Sequence, residues 1–206
     1  MRRAVGLICF IAGEILVVSA LLVLIYNVYE DRSAGETAAE ALAAVRTEME
    51  ARSLRNDEKP AAAIQLSDGG SEPEKSSEQI ESTVEYMGCL SIPVLGLELP
   101  VAAEWSYPAL KAVPCRQCGT VGTRGLVIAG HNYTHHFGKL ENLTPGDSVT
   151  FTDMDGGAFY YEVTDLSVVE PTDAAAVTKS GADLTLYTCT YGGRARVAVF
   201  CRASES

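Results

Sequence analysis

A chain of 206 residues can hold one sizeable domain plus an appendage, since domains commonly run about 100–150 residues. It carries 27 Asp or Glu against 16 Lys or Arg, a net charge of −11. The acidic excess is present in both halves, 15 against 8 over residues 1–85 and 12 against 8 over residues 86–206. Neither half is built to bind nucleic-acid phosphates.

From Ala4 to Tyr29 the chain is apolar except for Glu14, Ser19 and Asn27, long enough for a helix to cross a hydrocarbon core of about 30 Å. A cleaved signal peptide is the rival, but its apolar region runs about 7–15 residues and ends at small residues. Here Leu21 to Tyr26 continue the apolar run past Ser19-Ala20, so a retained single span is expected. Arg2 and Arg3 precede the span while Glu30 and Asp31 follow it, which predicts a cytoplasmic N-terminus and an extracellular remainder. Glu14, costly in lipid, is read as tolerated or protonated rather than as the mark of a partner helix, and Cys9 as packing.

Residues 30–85 read as a stalk. Ala34 to Arg55 favours helix by propensity, but its apolar stripe is weak and gives little reason to expect a core. Asn56 to Glu85 mixes Asp, Glu, Lys, Ser, Pro and Gly with few large apolar residues, the composition of a solvated linker.

From about Glu85 the texture changes to short β-like runs between turns. Tyr86–Ile92 and Leu95–Val101 are predicted strands, and Gly125–His131 reads as a short buried strand. Pro145-Gly146-Asp147 signals a turn before Ser148–Thr152, and Asp155-Gly156-Gly157 a turn before Phe159–Leu166. Short helices are expected over Tyr107–Lys111, Lys139–Leu143 and Asp173–Lys179. With a final hairpin, the spacing predicts a mainly β barrel or sandwich.

That hairpin is the most informative stretch. Thr185-Leu186-Tyr187-Thr188-Cys189 and Arg196-Val197-Ala198-Val199 flank Gly192-Gly193, the signature of a two-residue turn. A turn centred there sets Cys189 directly opposite Arg196, with Cβ atoms about 4.5–5.5 Å apart. It also pairs Thr188 with Val197, Leu186 with Val199, Leu184 with Cys201, and Arg194 with Tyr191 beside the turn. A thiol beside a permanent cation is a candidate nucleophile. The competing reading is a core ribbon with a buried cysteine. The apolar pairs lie on the other face from Cys189, which favours reactivity over packing.

His131 ends the Gly125–His131 strand and opens a polar loop, where catalytic groups are common. It is the best acid/base candidate, and His135 and His136 are read as surface or rim residues. Three histidines in six residues suggest metal, but no spaced carboxylate or cysteine partner accompanies them, so no metal or other cofactor is expected. Cys115-Arg116-Gln117-Cys118 has redox-motif spacing without the helix a thioredoxin site needs; a local disulfide and two unrelated thiols are the readings left. Cys89 and Cys201 are read as buried thiols or a bridge.

Taken together, Thr-Leu-Tyr-Thr-Cys at 185–189, Gly-His at 130–131 after an apolar strand and Arg-Val-Ala-Val at 196–199 resemble the sortases, membrane-anchored cysteine transpeptidases of Gram-positive bacteria. The resemblance covers roughly residues 86–202 and is nearest to class B-like or D-like members, since no second apolar span follows Arg202 and the segment between Leu166 and Leu184 is short. It implies an eight-stranded sortase-type β-barrel with short helices, preceded by a transmembrane helix and stalk. It also implies a catalytic set of Cys189, His131 and Arg196. The expected organisation is a cytoplasmic tip and anchor over 1–29, a stalk over 30–85 and a catalytic domain over 86–206. The implied partners are surface proteins with a C-terminal sorting signal of Leu-Pro-x-Thr-Gly type, a peptidoglycan precursor or other amine acceptor, and the membrane. A purely hydrolytic cysteine peptidase, a non-enzymatic anchored surface module and a thiol oxidoreductase using Cys115 and Cys118 are the alternatives.

Overall fold

The computed structural model describes residues 2–57 and 84–205. The expected linker from Asn56 to Glu85 therefore lies almost wholly outside the described residues, as does the side chain of Cys9. One long helix, α1 (Arg2–Asp57), leads into eight strands: β1 (Tyr86–Ile92), β2 (Leu97–Ala102), β3 (Cys115–Cys118), β4 (Leu126–Ala129), β5 (Ser148–Asp153), β6 (Ala158–Val169), β7 (Leu184–Cys189) and β8 (Arg196–Ala203). Two short helices, α2 (Tyr107–Ala112) and α3 (Ala174–Thr178), sit between them, with single 3-10 turns at Pro93–Leu95 and Leu140–Asn142.

The strands close into a barrel in the order β1-β2-β3-β4-β7-β8-β6-β5. Closure leaves no sheet edge exposed. The β2–β3 and β4–β7 neighbours are parallel and the others antiparallel. The strand period of two sorts each strand into inward and outward residues. Leu90, Ile92, Leu99, Val101, Leu126, Ile128, Phe151, Leu184, Leu186 and Val199 fill the interior. On β4 the outward Val127 is buried as well, packed with Ala198 of β8 and Val177 of α3. A strand buried on both faces needs a continuous apolar run, which is why Leu126–Ala129 shows no alternation.

One strand departs from expectation. Cys115–Cys118 is β3, antiparallel to β4 with a register irregularity between Arg116 and Cys118. The irregularity brings Cys115, opposite Ala129, and Cys118, opposite Val127, to the same side of the sheet.

The second half of α1 also differs from the expected free stalk. Ala34, Ala38 and Val45 are buried against the barrel, spaced so that they share one helix face. Ala38 joins the main core, while Val45 packs with Cys89 and Met154. Small side chains let the helix axis approach closely, so a stripe weak in hydropathy still packs. Burying a side chain such as Val45 stabilises by roughly 1.5–3 kcal/mol. Ion pairs extend the contact, Arg46 with Glu98 and Arg52 with Asp155.

Candidate active site

Strand β7 presents Leu184, Leu186 and Thr188 to the buried side and ends on Cys189, which is half-buried on the outward face. The β7–β8 register pairs Leu184 with Cys201, Leu186 with Val199, Thr188 with Val197 and Cys189 with Arg196. The turn itself differs from the expected one. A Gly193 N–H bond to the Thr190 carbonyl, 2.8 Å, centres it on Tyr191-Gly192, with Gly192 at φ 79°. The Ala195 N–H goes to Thr190 Oγ1, 3.0 Å, and the Thr190 N–H to the Ala195 carbonyl, 2.9 Å. The loop therefore spans Tyr191–Arg194, the expected Tyr191–Arg194 pair is absent, and Tyr191 is 94% exposed. Lengthening by an even number of residues keeps the Cys189–Arg196 pairing.

Arg196 Nη1 donates to the carbonyls of Gly193 and Ala195, at 3.2 and 3.1 Å, which holds the guanidinium at the neck of the hairpin. Arg194 lies exposed in the loop. Tyr187, two residues before Cys189 on the same face, senses both groups. Burial pushes its phenol up, the Arg196 charge pulls it back and Cys189 raises it. Its hydroxyl donates to Gln117 Oε1 at 3.1 Å. Tyr187 and Arg196 line a cleft of about 190 Å³ together with Gln117, Glu170 and Asp173.

His131 reaches this site through the parallel pairing of β4 with β7. Leu126 is level with Leu184 and Ala129 with Tyr187, so two residues further on His131 is level with Cys189. Two bonds carry the pairing past the last ladder residue: the Gly130 N–H to the Tyr187 carbonyl, 3.0 Å, and the buried Thr188 hydroxyl to the Gly130 carbonyl, 2.8 Å. Gly130 has no room for a side chain, because a Cβ there would lie 2.6 Å from the ring of the fully buried Phe137. With residue 130 turned inward, His131 falls on the outward face with Cys189.

The His131 ring lies 4.9 Å from that of Tyr133, and its Nε2 is buried with no hydrogen bond among the described residues. Burial lowers its pKa below the ordinary histidine value, Lys111 lowers it further and Glu30 opposes both. At neutral pH the imidazole is mainly neutral.

The other two histidines part company. His135 is exposed, with its ring against Gly35 of α1. His136, expected at the surface, is fully buried. The loop folds back through the His136 N–H to the Tyr133 carbonyl and the Phe137 N–H to the His131 carbonyl, both 3.0 Å, which tucks His136 between α1 and α2. The carbonyls of Ala34 and Ala112 face its ring and favour the protonated form, yet neither meets hydrogen-bond geometry. Burial, reinforced by His131, dominates and lowers its pKa to about 4. Among the described residues no three His, Cys, Asp or Glu converge as a metal cluster.

The five described cysteines are free thiols. Cys115 and Cys118 are two separate free thiols rather than a local disulfide. Cys201 is inside the barrel and Cys89 outside it beneath α1, so they do not bridge either. Burial pushes Cys115 and Cys89 up to about 11 and Cys201 to about 12. All three are inert as thiolates near neutral pH.

The Sortase domain family model matches residues 90–204, more than half of the chain. The chain belongs to the sortase family. Among solved structures, sortase C1 of Streptococcus suis is similar at 26% identity and TM-score 0.53, over 59% of this chain and 74% of that one. Sortase A of Corynebacterium diphtheriae is similar at 25% identity and TM-score 0.55, over 61% of this chain and 64% of that one. A sortase D5 transpeptidase of Clostridium perfringens shares the fold at 22% identity and TM-score 0.52, over 58% of this chain and 79% of that one. No curated protein matches. Similarity to a sortase C1 and a sortase A is near equal and singles out no class. Membership gives the coarse activity, transpeptidation at the cell wall, and the eight-stranded barrel agrees with it. The helix α1 contains a segment long and apolar enough to cross a membrane, in keeping with enzymes of the cell surface.

Tyr133, Lys111, Glu30 and Tyr187 belong to the surroundings of the site and were not singled out in the sequence. Tyr187 and Tyr133 lie two residues from Cys189 and His131 in sequence, whereas Lys111 arrives on α2 and Glu30 on α1. Thr188 was read as a core residue, and its second role, holding the Gly130 carbonyl, carries no local sequence signal.

Proposed function

We propose that the chain is an extracellular transpeptidase in which Cys189 is the nucleophile, His131 the acid/base and Arg196 the oxyanion and peptide-binding group. What supports this reading is the β4–β7 register, which, carried two residues past Ala129 and Tyr187, brings His131 level with Cys189, together with the Cys189–Arg196 pairing. The organisation is an anchor over 1–29, a connecting segment over 30–85 whose helical first part docks on the barrel, and a catalytic domain over 86–206. Arg2 and Arg3 before the span, with Glu30 and Asp31 after it, support a barrel on the outer side.

The thiol proton passes to His131, giving thiolate and imidazolium. The Cys189 sulfur then attacks the carbonyl carbon before the scissile bond of a Leu-Pro-x-Thr-Gly-like sorting signal, and negative charge develops on the oxygen beside Arg196. Collapse of the tetrahedral species breaks the C–N bond, His131 gives its proton to the departing amine, and a thioester remains. An amine of the cell wall attacks the thioester, its proton returns through His131, and the Cys189 thiol leaves. A lowered histidine pKa suits this traffic, because the imidazolium gives up its proton readily once formed.

The test is to incubate the full chain with a sorting peptide and an added amine. Amide product supports transpeptidation, and free acid alone, unaffected by amine, supports the hydrolytic reading.

A further inference from the structure

The helix α1 is exposed at every residue from Phe10 to Tyr29 and first meets the rest of the protein at Glu30 and Asp31. The apolar stretch from Ala4 to Tyr29 is long enough to cross a hydrocarbon core of about 30 Å and gives way to Glu30 and Asp31, so Tyr26 to Tyr29 mark its outer boundary. From there the helix climbs the barrel wall, Ala34 near His136, Arg46 on Glu98 and Arg52 near Asp155. The end of the barrel that holds the His131 loop is thus the end nearest the membrane.

At this end a cleft of about 310 Å³ is lined jointly by Tyr26 and Tyr29 of the span and by Pro108, Lys111 and Tyr133 of the barrel domain. Helix α2 is therefore level with the hydrocarbon boundary rather than above it. Beside Pro108, Tyr107 is 60% exposed and Trp105 is 48% exposed, while Tyr26 and Tyr29 are 59% and 69% exposed. Aromatic rings with one polar tip, gathered at the mouth of a span, are the composition enriched where bilayer meets water. Lys111 Nζ sits 5.3 Å over the Tyr107 ring, at a height where a lipid phosphate is within reach. Glu30, Asp31, Glu85 and Glu104 share this end, so the patch is not net basic and its occupant is set by the aromatics, with zwitterionic lipid sufficient. Glu30 accepts from the Tyr26 hydroxyl at 2.8 Å and Asp31 from the Thr134 N–H, which occupies both carboxylates.

We propose that the Trp105–Tyr107 segment and α2 rest in the headgroup layer of the same membrane that α1 spans, holding the catalytic barrel down on the bilayer. The proposal rests on reading α1 as a membrane span. Continuity with the span argues for lipid over a protein partner, because lipid already surrounds Tyr26 and Tyr29. Tyr133, which lies against His131, lines the shared cleft, so the acid/base end of the site faces the bilayer surface. Peptides and amines tethered to the membrane would then reach the site at headgroup height.

Trp105 is the only tryptophan of the chain, so its fluorescence reports this contact without labelling. The full chain is reconstituted into phosphatidylcholine vesicles, with and without lipids brominated near the top of the acyl chains, and retention is checked by alkaline wash. The expected result is blue-shifted emission, weak quenching by iodide and about twofold quenching by brominated lipid. A Trp105→Phe, Val94→Trp variant moves the probe to the distal β1–β2 connection, where Val94 is 61% exposed, and should show the reverse pattern. Iodide-accessible Trp105 in a chain that stays inserted would overturn the proposal and leave the span intact. Protection from iodide without quenching by brominated lipid would mean a protein cover, and would also overturn it. Release of the chain by alkaline wash would remove the span reading and the proposal with it.

Discussion

Cys189 and Arg196 face one another across the β7–β8 hairpin, the last residue of one strand directly opposite the first of the next. The pairing survives a loop of different construction from a two-residue turn, because the loop is longer by an even number of residues. It distinguishes two arginines only two positions apart, Arg196 held at the hairpin neck and Arg194 exposed beyond it.

Arg196→Ala should therefore lower kcat/KM for a sorting peptide by about 10²–10³, the usual cost of removing an oxyanion donor. Arg194→Ala should leave it within about twofold, as expected of an exposed loop side chain away from the reacting atoms. Peptide cleavage assays on both variants check the assignment, and the opposite ranking would place the cation at Arg194, two residues further into the loop.

The charges around His131 set a pH prediction with a sign. Lys111 lowers its pKa and Glu30 raises it, beneath the larger effect of burial. The acid limb of kcat/KM should move to higher pH in Lys111→Gln and to lower pH in Glu30→Gln. Full pH profiles of the two variants test this, and shifts in the same direction would contradict it.

Gly130 matters for space. A methyl group there meets the Phe137 ring, so Gly130→Ala should cost about 1–3 kcal/mol of stability through overpacking and disturb His131 at the next position. Phe137→Leu in the same chain should recover part of both losses. Thermal melting and peptide cleavage measured on the single and double variants provide the check.

These relationships separate what the sequence made legible from what it did not. The β7–β8 register followed from counting outward from Gly192-Gly193, since strand periodicity leaves few alternatives once one face is apolar. The short helices and most strands were marked by turns. Strand β3 was missed because two cysteines at redox spacing drew attention to thiol chemistry, while the bulge within it is a property of pairing with β4. The docking of α1 was missed because alanines buried against a barrel score weakly in hydropathy. The burial of His136 depends on that docking and on α2 together, two distant segments, so nothing near residue 136 announced it.

Buried His136 predicts acid sensitivity. Its pKa is about 4 in the folded chain against about 6.5 unfolded, so below pH ~6.5 the unfolded state binds a proton that the folded state does not. Stability is full above pH ~6.5 and falls on acidification by on the order of 3 kcal/mol by pH ~4. Melting temperatures of the full chain and of His136→Leu across this range should show a flatter profile for the variant. Parallel profiles would mean that His136 titrates normally.

The central claim is that Cys189 carries the acyl group. Intact-mass and peptide-map analysis of the full chain, quenched in acid during turnover of a sorting-type peptide library, tests it directly. The account predicts a thioester adduct on Cys189 with the mass of the peptide's N-terminal fragment, absent in Cys189→Ala, and peptide cleavage abolished with it. Cleavage that persists in Cys189→Ala, or an adduct found on Cys118 instead, would contradict it.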